Sequence, residues 1–157
     1  MGAPLRMILL VLLVLLAVPA TSVAAKEPAQ TKQIRVYIDR QVLVALEGEN
    51  KAYTFDVVTG KEGKETEAGN YKILKKHSKY VSKTYGSEMP YAMFFTADGK
   101  AIHGTLTPNA RSYLRSYMTE SVGSHGCVGL SDDAAKLLFA WAPVGTPIVV
   151  IRGKGEE

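Results

Sequence analysis

Apolar and polar positions alternate in short runs through most of the chain, and a helical spacing stands out in only one place. IRVYID (34–39) and VLVALE (42–47) are rich in β-branched residues and read as strands, with Asp39-Arg40-Gln41 turning between them. EGEN (47–50) marks the next turn and AYTFDVV (52–58) a third strand, so the chain opens as an antiparallel meander. NYKILKK (70–76) alternates and predicts a strand with one wet face. PYAMFFTADGKAIHGT (90–105) reads as strand, Asp98-Gly99 turn, strand, and GTPIVVIR (145–152) as a closing apolar strand. The polar segments 59–69 and 77–88 are loops, and 106–123 is either a loop or a short amphipathic helix. The clear helix follows Ser131, a natural N-cap, with Asp132 and Asp133 at the positive end of its dipole. Ala134, Leu137, Leu138 and Trp141 then share one apolar face, and Pro143 stops the helix. About seven strands and one helix predict a mainly-β domain of sandwich or barrel type.

The first residues break this pattern. Arg6 precedes an unbroken apolar run, Met7 to Val18, then Pro19 and small residues that twice fit a small-x-small cleavage site, 22–24 and 23–25. The run is shorter than the roughly 20 residues that cross a bilayer. It predicts a signal peptide over 1–25 and no stable membrane insertion after cleavage. A Pro/Ala/Gln/Lys spacer (26–33), one domain (34–152) and a polar, Gly-bearing tail (153–157) complete the expected organisation. The formal charge of +4 falls to +3 when Arg6 leaves with the leader, and no basic run is long enough for a nucleic-acid partner.

Export gives the single cysteine, Cys127, its interest. Secreted domains spend cysteines in pairs, so an odd one suggests intermolecular pairing or a reactive thiol, against the alternative of an inert buried residue. It stands in SVGSHGCVGLSDD (121–133), between Gly126 and Gly129, just ahead of the helix. Glycines allow a sharp turn whose backbone N–H groups can converge on an oxyanion. A thiolate needs a base or cation nearby. His125, two residues away, and His103, in the preceding strand, are the candidates, while His77 lies among lysines in a polar loop. His103, His125 and Cys127 are all zinc-binding residue types, but no further cysteine or histidine completes a site, so no metal and no cofactor is expected.

AIHGT followed by SHGCVGLSDDAAKLLF resembles the active-site signature of the L,D-transpeptidase catalytic domain, the YkuD-like family. IRVYIDRQVLVALEGENKAYTFDVVTGK, TEAGNYKI, MPYAMFF and GTPIVVI are similar to the family's opening strands, its Thr-Pro-x-Gly turn and strand, its substrate-side strand and its closing strand. The resemblance implies a β-sandwich of mixed sheets with one helix after the catalytic cysteine. It implies Cys127 as nucleophile, His103 as general base and Gly104 as the residue whose backbone orients that base. Ser124 and His125 would support the cysteine turn, the Gly126 and Cys127 amides would form an oxyanion hole, and Tyr91 would line the substrate groove.

The implied reaction forms a thioester with a peptidoglycan tetrapeptide stem, releases D-alanine and passes the acyl group to an amine, in the periplasm or cell envelope. Hydrolysis on the same residues, as a carboxypeptidase or endopeptidase, is the nearest alternative. A wall-binding module without turnover is another, and a sortase would need Arg152 as its late-strand arginine. Three departures from the family pattern stand out: Gly129 where Arg or Asn is usual, Glu67 in place of the turn's proline, and a longer segment between His103 and Ser124. Arg111 and Arg115, in that segment, are candidates for the missing substrate-binding cation. The sequence does not reveal the oligomeric state.

Overall fold

A computed structural model describes residues 31–60, 63–84, 86–105 and 126–153. Two mixed sheets face each other. The first has the order β3-β2-β1-β9-β4, built from β1 (Lys32–Tyr37), β2 (Val42–Glu47), β3 (Asn50–Asp56), β4 (Gly69–Lys72) and β9 (Pro147–Ile151). The second has the order β5-β6-β7-β8, built from β5 (Lys75–His77), β6 (Ala92–Phe94), β7 (Ala101–Gly104) and β8 (Val128–Leu130). Pairing is antiparallel except for β1 with β9 and β7 with β8.

Alternation along the strands sends Ile34, Val36, Leu43, Ala45, Ile148 and Val150 inward from the first sheet. Met93, Ile102, Val128 and Leu130 meet them from the second. Each fully buried aliphatic side chain of this kind contributes roughly 1.5–3 kcal/mol of transfer free energy. Next to the chemistry, the residues on the other side of the second sheet matter more. Met89, Ala92, Phe94, Ala101 and Cys127 form a separate buried cluster there, with Tyr80 against it.

The mainly-β expectation holds, with three differences of detail. The stretch read as one strand over 70–76 is two, because the chain leaves the first sheet and joins the second at Ile73–Leu74. Ile73 N–H donates to Thr146 O (3.0 Å) and Leu74 N–H to Phe94 O (2.7 Å), so consecutive residues pair with different sheets. Cys127, read as standing just ahead of the helix, is separated from it by a short strand, β8.

The third difference concerns the helix α1 (Asp132–Trp141), which buries Ala134, Ala135 and Leu138 and leaves Leu137 half exposed. At roughly 100° per residue, Ala134, Ala135, Leu138 and the following Ala142 cluster on one side, and Leu137 lies about 110° from their centre. Trp141 sits at the edge of that face, its indole N–H donating to Glu47 Oε1 at 2.7 Å.

Ser131 Oγ accepts from Ala134 N at the helix start. The far end holds no basic residue in its own last turn, but lysines from both sheets reach it. Lys32 Nζ donates to Trp141 O at 2.8 Å, and Lys76 Nζ to Ala142 O at 2.6 Å and to Phe139 O. Both satisfy carbonyls that the helix leaves open and put positive charge at its negative end. Burial pulls the Lys76 amine below its ordinary value. Replacing Lys76 with methionine is expected to cost about 1–2 kcal/mol, the range of a charge-assisted bond at a helix end. Chemical denaturation, reading a lower midpoint at unchanged slope, checks this. Among the described residues no helix is long and apolar enough to cross a membrane.

Candidate active site

The second sheet brings the two strongest chemical candidates onto one face. In the parallel β7–β8 pair, Ile102 stands opposite Val128 and His103 opposite Gly129. Ile102 and Val128 point into the main core, so the alternate positions Ala101, His103 and Cys127 lie on the other side. Diagonal neighbours on adjacent strands are about 7–8 Å apart at Cα, within reach of a long side chain. Gly129 presents no side chain opposite His103.

His103 is 8% exposed, and its Nδ1 lies 2.6 Å from its neighbour's carbonyl, Gly104 O. A carbonyl can only accept, so Nδ1 carries the proton and the neutral ring keeps its lone pair on Nε2. Gly104 is itself wedged: a Cβ there would fall 2.5 Å from Asp132 Oδ1 and 2.9 Å from Pro90 Cγ. Its N–H donates to Pro90 O at 2.8 Å. Burial lowers the His103 pKa, with the Gly104 bond and the Asp132 carboxylate opposing in part.

Cys127 is also buried, and its Sγ accepts from Ala101 N–H at 3.4 Å. Burial raises its pKa. The Ala101 N–H and the Lys100 charge pull the other way, while Asp98 reinforces the rise. Burial thus favours the neutral form of both the His103 imidazole and the Cys127 thiol.

These shifts have a stability consequence. The unfolded chain binds a proton at His103 more readily than the folded one, so that contribution is complete above about pH 6.5 and is lost as pH falls. The unfolded thiol ionises more readily than the folded one, so the Cys127 contribution is complete below about pH 8.5 and is lost as pH rises. Thermal midpoints are expected to fall on both sides of this window. Cys127→Ala should flatten the alkaline side and His103→Gln the acid side, as read by calorimetry across pH.

The cysteine's turn is packed tightly. Gly126 has φ +80°, and a Cβ there would meet Glu65 O at 2.6 Å and the Lys100 side chain at 2.8 Å. Lys100 Nζ is held 3.5 Å from both Glu67 Oε1 and Asp98 Oδ2. Glu67, the residue that departs from the family's proline, thus has an ionic partner beside the cysteine turn. Thr66, 1% exposed, accepts from Gly60 N–H at 2.9 Å and places its hydroxyl 3.1 Å from Gly126 O and 3.4 Å from Cys127 O. Sequence reasoning missed Thr66 and Lys100. The one available signal was the TEAG segment, read only as a turn.

The remaining candidates fall elsewhere. Tyr91 adopts φ +55° and sets its ring edge-on to Phe139 of the helix at 5.7 Å, packed against the main core and not with Cys127. His77 is exposed, with Tyr80 and Phe94 rings at 5.7 and 6.0 Å. Ser124, His125, Arg111 and Arg115 lie outside the described residues. Chemically, the described part offers a buried thiol, an imidazole with a fixed tautomer on the same face, and a glycine turn at a positive φ that other residues rarely adopt.

Comparison with known proteins identifies the family and the fold. The family model for the L,D-transpeptidase catalytic domain (YkuD) matches residues 31–150. An L,D-transpeptidase from Stackebrandtia nassauensis is similar, with 27% identity and a TM-score of 0.65, over 82% of this chain and 60% of that one. An Enterococcus faecium L,D-transpeptidase, solved as a cysteine-to-serine mutant, shares 25% identity with a TM-score of 0.63, over 78% of this chain and 50% of that one. The Ldtfm–avibactam carbamoyl enzyme shares 26% identity with a TM-score of 0.63, over 80% and 50%. The chain therefore spans about half to three-fifths of the length of these structures. No curated protein sequence matches it.

Proposed function

Because the chain belongs to the L,D-transpeptidase catalytic-domain family, we propose that it is a cysteine acyltransferase that cross-links peptidoglycan stems in the bacterial envelope. The observation that carries this reading is the His103 Nδ1 bond to Gly104 O, which leaves Nε2 as a proton acceptor on the strand beside Cys127.

His103 Nε2 takes the thiol proton as Sγ attacks the carbonyl that precedes the terminal D-alanine of a tetrapeptide stem. The carbonyl electrons move onto oxygen, and the Gly126 and Cys127 amides stabilise that charge. The C–N bond then breaks, and the departing D-alanine amine takes the proton back from His103. A thioester remains on Cys127. A side-chain amine of a second stem attacks it, gives up its proton through His103, and returns Sγ as thiol. A relative captured as a carbamoyl enzyme supports a covalent acyl step on this fold. Ser124 and His125 support the cysteine turn in this scheme, and Arg111 and Arg115 supply cations for the stem's carboxylates. Residues 1–25 act as the export signal, and the spacer read over 26–33 ends earlier, since Lys32 and Gln33 belong to β1.

The test is to incubate the protein with a disaccharide tetrapeptide, with and without an amine acceptor, and to follow products by mass. A cross-linked dimer is the expected product. Tripeptide alone would replace transfer with hydrolysis on the same site, and no adduct on Cys127 from any acyl donor would leave only a wall-binding role.

A further inference from the structure

The buried hydroxyl of Thr66 faces the cysteine turn from a segment some sixty residues earlier. It accepts from Gly60 N–H, so its single proton is directed to the carbonyls of Gly126, at 3.1 Å, and Cys127, at 3.4 Å. The first is the shorter and dominates. Across a planar trans peptide, the C=O and N–H groups point in opposite directions. A Gly126 carbonyl held on Thr66 therefore turns the Cys127 N–H away from Thr66, to the other side of the peptide plane. The Lys100 side chain, fixed by Glu67 and Asp98, lies against Gly126 and limits rotation of the same turn.

We infer that Thr66 is the positioning residue of the oxyanion site: by holding the Gly126 carbonyl, it aims the Cys127 amide at the substrate oxygen. The inference rests on the acyl-transfer reading above. It predicts a selective defect. Acylation passes through an oxyanion that needs the aimed N–H, whereas alkylation of a thiol at a saturated carbon forms none.

The experiment compares carbamoylation of the full chain by avibactam with alkylation by iodoacetamide, both on Cys127 and both followed by intact mass. Thr66→Val, which keeps the shape and removes the hydroxyl, is expected to slow carbamoylation about 10- to 100-fold, somewhat less than the loss of a whole donor. Its alkylation rate should stay within about twofold of wild type, which also reports an intact turn. Thr66→Ser should restore both rates. A Thr66→Val variant carbamoylated as fast as wild type, or slowed equally in both reactions, overturns the inference alone. A wild-type chain that is alkylated yet takes no acyl group from avibactam or a disaccharide tetrapeptide overturns the functional reading, and this inference with it.

Discussion

Cys127→Ala is expected to reduce acyl transfer by on the order of 10⁴- to 10⁶-fold, the scale of loss when a covalent nucleophile is removed from such a site. Nothing else among the described residues can hold the acyl group where His103 can serve it. The fold should survive, because Cys127 occupies the small satellite cluster and not the main core. Cys127→Ser separates the two effects further, since its hydroxyl can still accept the Ala101 N–H while being a far poorer nucleophile. Product formation from a tetrapeptide, measured beside the thermal midpoint, decides the matter. Turnover that survives in the alanine variant would end the covalent mechanism.

His103→Gln is expected to lower kcat/KM by roughly 10²- to 10⁴-fold, the usual worth of a positioned general base. Glutamine can still donate to the Gly104 carbonyl, so the strand should keep its shape, but it cannot take a proton. The buried thiol has its pKa raised and does not ionise appreciably near neutrality without that base. The variant's rate should therefore climb with pH well beyond the point at which the wild type levels off. In the wild type, the acid limb should fall below about pH 6.5, because burial keeps His103 neutral to lower pH than a free imidazole. A pH profile of the variant that matches the wild type would remove His103 from the mechanism.

The strands were legible from their β-branched and apolar runs; burial alternates in β3 and β4, whereas β2 and β7 are buried on both faces. Ile73 was not legible as a crossing point. It is apolar in either sheet, and only the partners of its backbone reveal the change. Leu137 was misplaced because heptad spacing fits it as well as it fits Ala135, and the smaller side chain took the close-packed position against β7 and β6. At the site, the Ser-His-Gly-Cys run and the histidine strand stood out because their chemistry is local to each motif. Thr66 and Lys100 reach the cysteine only through tertiary contact, so no spacing rule announces them. Glu67 looked like a defect in a turn until Lys100 was found opposite it.

The position of β9 governs how the molecule can assemble. It lies between β1 and β4, parallel to one and antiparallel to the other, although residues 147–151 are the last strand in chain order among the described residues. Until they arrive, β1 and β4 expose two open edges with nothing to join them. A nascent chain is thus held back from premature closure of the first sheet. Completion waits for a segment that emerges after the reactive thiol itself.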